Sequence, residues 1–169
     1  MALPKVLKFF NTFQNGENWV GLTPEVTLPK LSRKMEAYRA GGMPGEVDLD
    51  LGVEKLEAKI TWGGLMVAAI KTFGTAKVDG ILLRFAGSYQ EDGEGSISKV
   101  EAIMRGRYKE LDPGNSKAGD KSENSGTLAL SYYKLTVDGE VVYEIDMVNM
   151  IEKSGGTDRL AEHKANIGL

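Results

Sequence analysis

The chain has 169 residues, 41% hydrophobic and 27% charged, with a net charge of −3. That length suits one domain that buries about 70% of its unfolded surface, and no apolar run nears the roughly 20 residues of a membrane-spanning helix. The absence of cysteine excludes thiol nucleophiles, disulfides, iron–sulfur clusters and cysteine zinc sites.

At the N-terminus, Lys5 and Lys8 interrupt any signal-peptide core, so the chain is expected to remain in the cytoplasm where it is made. Val6 to Phe13 reads as a strand, Gln14-Asn15-Gly16-Glu17 as a turn, and Trp19 to Leu22 as the returning strand, because Asn-Gly tolerates positive φ. From Lys30 to Tyr38, Leu31, Arg33, Met35 and Ala37 alternate with Ser32, Lys34, Glu36 and Tyr38, the period of a two-faced strand. Pro29 marks its start as an edge or a bulge. Gly41-Gly42-Met43-Pro44-Gly45 then predicts a long flexible loop over about residues 41–52, carrying the apolar Met43, Val47, Leu49 and Leu51. Apolar side chains on a loop call for a partner to cover them.

Glu54 to Trp62 alternates again, with Leu56, Ala58, Ile60 and Trp62 on the inner face and Lys55, Glu57, Lys59 and Thr61 on the outer. Leu65 to Phe73 predicts a packed helix whose face is Leu65, Ala68, Ala69 and Phe73, stopped by Gly74. Gly80 to Tyr89 and Ser96 to Lys109 are further strands; in the second, Val100, Ala102, Met104 and Tyr108 point inward, and Lys99, Glu101, Arg105 and Arg107 outward. After a polar loop from Asp112 to Gly126, Thr127–Val137 and Val141–Asp146 form a hairpin about Asp138-Gly139. Ser154-Gly155-Gly156 frees the end, and Thr157 is placed to cap a short helix through Lys164. The expected fold class is mainly β, a barrel or sandwich with one packed helix and a short C-terminal helix.

No constellation of catalytic residues emerges. His163 is the lone histidine, in a charged terminal segment with no nucleophile to serve and no second histidine for a metal. Gly114 to Ser122 approximates a phosphate-cradling loop, but Asp120 stands where lysine should follow the second glycine. Asp48 and Asp50, near Glu46 and Glu54, lack the glycine and terminal glutamate of a calcium loop and read as a charged rim. Arg105, Arg107 and Tyr108 are flanked by Glu101 and Glu110, unlike a one-signed phosphate-tracking surface. The expectation is a non-enzyme without metal or cofactor. Charge is polarised instead: +3 through Ala40 and −4 from Asp138 onward, which permits head-to-tail attraction between copies.

Several runs resemble one family: Thr27 to Gly45, Arg84 to Tyr89, Met104 to Glu110, Ser131 to Gly139, Tyr143 to Asp146 and Asn166 to Leu169. They are similar to the major tail tube proteins of contractile-tailed, peduovirus-like phages and to the tube proteins of R-type pyocins (tailocins). The resemblance implies a single tail-tube-type domain over residues 1–169, which forms hexameric rings that stack head to tail inside a contractile sheath. It implies that residues 41–52 are the inter-ring loop, with Met43, Val47, Leu49 and Leu51 as the inter-ring contact. The strands Lys30–Tyr38, Glu54–Trp62, Ser96–Lys109 and Thr127–Val137 become candidates for the channel wall, with Lys55, Glu57, Lys59, Lys99, Glu101 and Arg105 facing the lumen.

The partners so implied are further copies of the chain, a sheath protein, baseplate hub and tail terminator proteins, and DNA in transit without stable binding. A target membrane would be met only through the assembled particle. The place is a virion or tailocin tail tube, assembled in the host bacterial cytoplasm. Two other readings stand beside this one: the tube protein of a type VI secretion system, and a monomeric β-barrel carrying a ligand inside.

Overall fold

The computed structural model describes residues 2–169. In chain order the strands are β1 (Lys5–Gln14), β2 (Glu17–Asn18), β3 (Glu25–Thr27), β4 (Arg33–Tyr38), β5 (Val47–Val53) and β6 (Leu56–Trp62). Helix α1 (Val67–Lys71) precedes β7 (Ile81–Glu91), β8 (Ile97–Asp112), β9 (Asn124–Val137), β10 (Glu140–Asp146), β11 (Ile151–Ser154), β12 (Thr157–Asp158) and α2 (Ala161–Asn166). The fold is mainly β, as the alternating sequence predicts, but the sheet does not close into a barrel within one chain.

Antiparallel pairing runs β12-β11-β10-β9-β8-β7-β1-β2, so most neighbours in space are neighbours in sequence. Strand β9 is the spine. One edge pairs with β8 along its length. The other is shared: Asn124 to Leu130 pair with β6, and Tyr132 to Val137 with β10. The changeover falls where β8 and β9 slip register between Arg105 and Gly106, and there the Ser131 side chain turns inward and is buried. A bulge of this kind bends the strand and re-aims the residues beyond it. Gly106 is needed there, because a Cβ on it would lie 2.1 Å from the Ala129 carbonyl oxygen.

One sheet face is buried. Leu56, Ala58, Ile60 and Trp62 from β6 meet Leu83 and Phe85 from β7, Ala102 and Met104 from β8, and Leu128 from β9. Trp62 stands edge-on to Trp19 at 5.7 Å and to Tyr108 at 6.2 Å between ring centres. The Tyr108 hydroxyl donates to Gln14 Oε1 at 2.6 Å, satisfying both inside the core. These rings are part of a packed core, and the open sheet encloses no barrel interior of the kind a ligand-carrying barrel needs.

Four local expectations need correction. The returning strand expected at Trp19–Leu22 lies earlier, at Glu17–Asn18, and has only two residues. Trp19 is drawn into the core, and Gly21 at φ 78° turns the chain so that the Leu22 N–H reaches the Trp19 carbonyl. The helix expected over Leu65–Phe73 is only Val67–Lys71: the Thr72 hydroxyl bonds the Ala69 carbonyl at 2.8 Å and the last turn tightens. Its inward residues are Met66 and Ala69, while Leu65 and Phe73 are exposed. The end from Ser154 is not free, because Gly155 and Gly156 make the turn of a β11–β12 hairpin. Thr157 therefore lies in a strand, and the Leu160 N–H entering α2 bonds Asp158 Oδ1 instead.

The largest correction concerns residues 41–52. Only the link between β4 and β5 is a loop. Val47 to Val53 is a strand paired with β4, and the two form a separate hairpin. The strand expected from Lys30 begins at Arg33 and takes no part in the main sheet.

Candidate assembly interface

Two surfaces carry the residues that the sequence singles out. The first is the β4–β5 arm. Cross-strand partners share a face, so Tyr38 opposite Val47 and Glu36 opposite Leu49 set one side, continued by Leu51. Ala37 opposite Asp48 and Met35 opposite Asp50 set the other. Val47, Leu49 and Leu51 are 48%, 45% and 51% exposed, and Met35 and Tyr38 are comparably open. The structure thus brings three of the four expected contact residues onto one stripe. Met43 is apart, half-buried in the turn, where its sulfur accepts the Ala40 N–H at 3.1 Å. A lone two-stranded hairpin with apolar side chains in water is marginal at best.

Among the described residues, hydrogen bonds fix the arm to the body at its base. The Glu54 N–H donates to the Ser32 carbonyl at 2.8 Å. Arg33 donates from Nε to Asp50 within the arm and from a terminal nitrogen to Glu152 Oε1 on β11 at 2.6 Å. The Gly52 N–H and then Arg33 hold the Asp50 carboxyl below its usual range. The aspartates read from sequence as a charged rim are therefore one face of a strand, with Asp50 neutralised by Arg33.

The second surface is the unburied face of the main sheet. Pairing of Glu57 with Ala129 and of Lys59 with Thr127 carries the β6 residues across β9, and the β8 register extends the same face to Glu101 and Arg105. Lys99 lies on it too, and Lys55, just before β6, reaches Glu57 at 3.3 Å. The six expected lumen residues thus share one side of the domain. Sequence reasoning missed their partners. Lys109 donates to Glu57 Oε1 at 2.7 Å, and Lys109 followed by Lys55 keeps the Glu57 carboxyl below its usual range. Arg84 donates to Glu101 at 2.7 Å while lying 5.0 Å over the Phe13 ring. Parity along β9 could have added Lys134, but the Arg84–Glu101 pair follows only from the β7–β8 register.

His163 is exposed on α2, and Gly114 belongs to an irregular loop in which its N–H bonds the Asp112 carboxylate at 2.8 Å.

Comparison with known proteins identifies the family and the fold. The chain is 45% identical to the tail tube protein of Escherichia phage P2, with 100% of both chains covered. It is 42% identical to the major tail tube protein of Serratia phage KSP20, covering 92% of this chain and 91% of that one. Among solved structures, the fold matches the sheath/tube terminator of an extracellular contractile injection system with TM-score 0.58, at 12% identity, over 79% of this chain and 96% of the other. A sheath–tube complex of the same kind of system matches with TM-score 0.57 at 13% identity, over 79% of this chain and 90% of the other. The phage tail tube protein FII family spans residues 4–168, and the chain belongs to it: it is a structural subunit of a phage tail tube.

Proposed function

We propose that copies of this subunit close into hexameric rings by joining sheet edges, and that the arm of each ring seats its Val47–Leu49–Leu51 stripe on the next. The observation that carries this reading is the β4–β5 hairpin, which pairs with no other described strand of its own chain and leaves its apolar stripe in water. A ring is the closed solution of a head-to-tail contact, and complementary ring ends stack. The unburied sheet face then lines the channel.

Partners beyond the tube follow the same reading: a surrounding sheath, a terminator at one end and a baseplate hub at the other. The sheath–tube and terminator assemblies that share this fold support the first two. Assembly takes place in the bacterial cytoplasm and the tube resides in the virion.

The decisive experiment is the double variant Leu49→Asp/Leu51→Asp. Circular dichroism should show a folded subunit, and negative-stain microscopy should show no tubes; intact tubes would sink the reading. Part of the channel face's charge is held in neighbouring opposite pairs, Glu57 with Lys109 and Arg84 with Glu101, while Lys59 and Arg105 form no salt bridge among the described residues. A face of mixed sign offers DNA fewer free cations than a one-signed one, and each phosphate contact it withholds weakens retention. Fluorescence anisotropy of labelled duplex should therefore find no micromolar complex at physiological salt; a tight, salt-sensitive one would contradict the conduit.

A further inference from the structure

Among the described residues, Arg33 is the side chain that ties the arm to the body through charge. Its guanidinium forks, with Nε on Asp50 in the arm and a terminal nitrogen 2.6 Å from Glu152 Oε1. Glu152 is the anchor: its side chain is only 6% exposed, and Tyr143 donates to the same Oε1 at 3.4 Å. The backbone on either side is pinned, because the Glu152 N–H reaches Asp158 Oδ1 at 3.3 Å and its carbonyl accepts the Arg159 N–H at 2.8 Å.

On the arm side the fork sits at an irregularity. The register slips between Arg33 and Met35, leaving Leu51 and Gly52 opposite a single residue, and Gly52 takes φ 108°. Asp50 Oδ1 closes this kink by accepting the Gly52 N–H at 2.9 Å, while its other oxygen takes Arg33. A bulge re-aims a strand. Here it is locked by the residue that grips the body. Around the fork lies a cleft of about 450 Å³ lined by Leu31, Val53, Tyr143, Ser154 and Arg159; at the foot of β5, Val53 packs against the core. Beyond that foothold, the direction of the arm depends on polar contacts.

We propose that Arg33, held by Glu152 and Asp50, is a positioning residue for tube assembly: a clasp that presets the angle at which the arm leaves the body. The inference rests on the arm being the inter-ring element. Preorganising a binding segment lowers the ordering cost of each docking event, so the clasp acts on assembly more than on subunit stability. Arginine is required because two carboxylates on separate elements need a rigid fork, which a lysine ammonium does not supply.

The test uses Arg33→Met/Glu152→Gln, which leaves no unpaired buried carboxylate, with Arg33→Lys and the swap Arg33→Glu/Glu152→Arg. The double variant should melt like the wild type, while hydrogen exchange of residues 33–53 in the isolated subunit speeds up and tube elongation slows by about tenfold. The lysine variant should fall between, and the swap should recover part of the rate. Unchanged exchange in the arm together with wild-type elongation would overturn the clasp. Leu49→Asp/Leu51→Asp, run in parallel, separates the two claims. If it still forms tubes, the inter-ring role of the arm fails; the exchange measurement on free subunits judges the clasp by itself.

Discussion

Strands β5 and β6 follow one another with only Glu54 and Lys55 between them, and both alternate apolar with charged residues. Their fates differ. Leu56, Ala58, Ile60 and Trp62 are 0–2% exposed, whereas Val47, Leu49 and Leu51 remain about half open. The distinction lies in what each strand pairs with. Strand β6 lies against β9 and its inner face meets the core, while β5 has only β4 beside it. Alternation states that a face needs covering. It does not state whether the cover comes from the same chain or from another copy.

The contrast breaks most sharply on the body side. Trp62→Ala should destabilise the subunit by about 3–5 kcal/mol, because it removes a ring packed against both Trp19 and Tyr108 and leaves a cavity. Chemical denaturation should show the loss, and a value below about 1 kcal/mol would mean that the core can collapse around the gap.

A milder probe loads the body with charge. Burial pushes the Tyr133 phenol up to about 12 from an ordinary 10.0, and it pushes Tyr108 higher still. A raised folded-state value means that the stabilisation is complete below the unfolded value and is lost as pH rises through the folded one. Phenolate absorbance and circular dichroism should therefore change together between about pH 10 and 12. Ionisation of these tyrosines well before unfolding would show that the body opens locally.

The smallest effect is expected on the arm. Leu49→Ala should alter the melting of the free subunit by no more than about 0.5 kcal/mol, since the side chain has little to pack against. The same substitution should weaken tubes measurably in a sedimentation assay. A large effect on the free subunit would mean that the arm folds back onto the body in solution.

Much of the body is legible from residue patterns. Leu56 to Trp62 and Val100 to Tyr108 alternate cleanly, and Asp138-Gly139 turns at φ 49° and 84°, as a tight hairpin requires. The arm is half legible. Its apolar residues Val47, Leu49 and Leu51 can be named from the sequence, yet the Gly41–Gly45 break hides the return strand, because Val47 to Val53 is short and contains Gly52. The C-terminal β11–β12 hairpin escapes for a similar reason: its strands have four and two residues, too few to show a period. The clasp is beyond sequence reasoning altogether. Arg33 and Glu152 lie 119 positions apart, and only the folded register brings them together.

The enclosed core also sets the optics of the subunit. The chain has two tryptophans, Trp19 and Trp62, both fully enclosed in the body, and neither indole N–H has a hydrogen-bond partner among the described residues. Their emission reports whether the body is closed and is blind to the hairpin that reaches outward. Fluorescence should stay constant while light scattering rises during polymerisation, and should shift to the red only when the body itself opens, so a single cuvette can follow the two events separately.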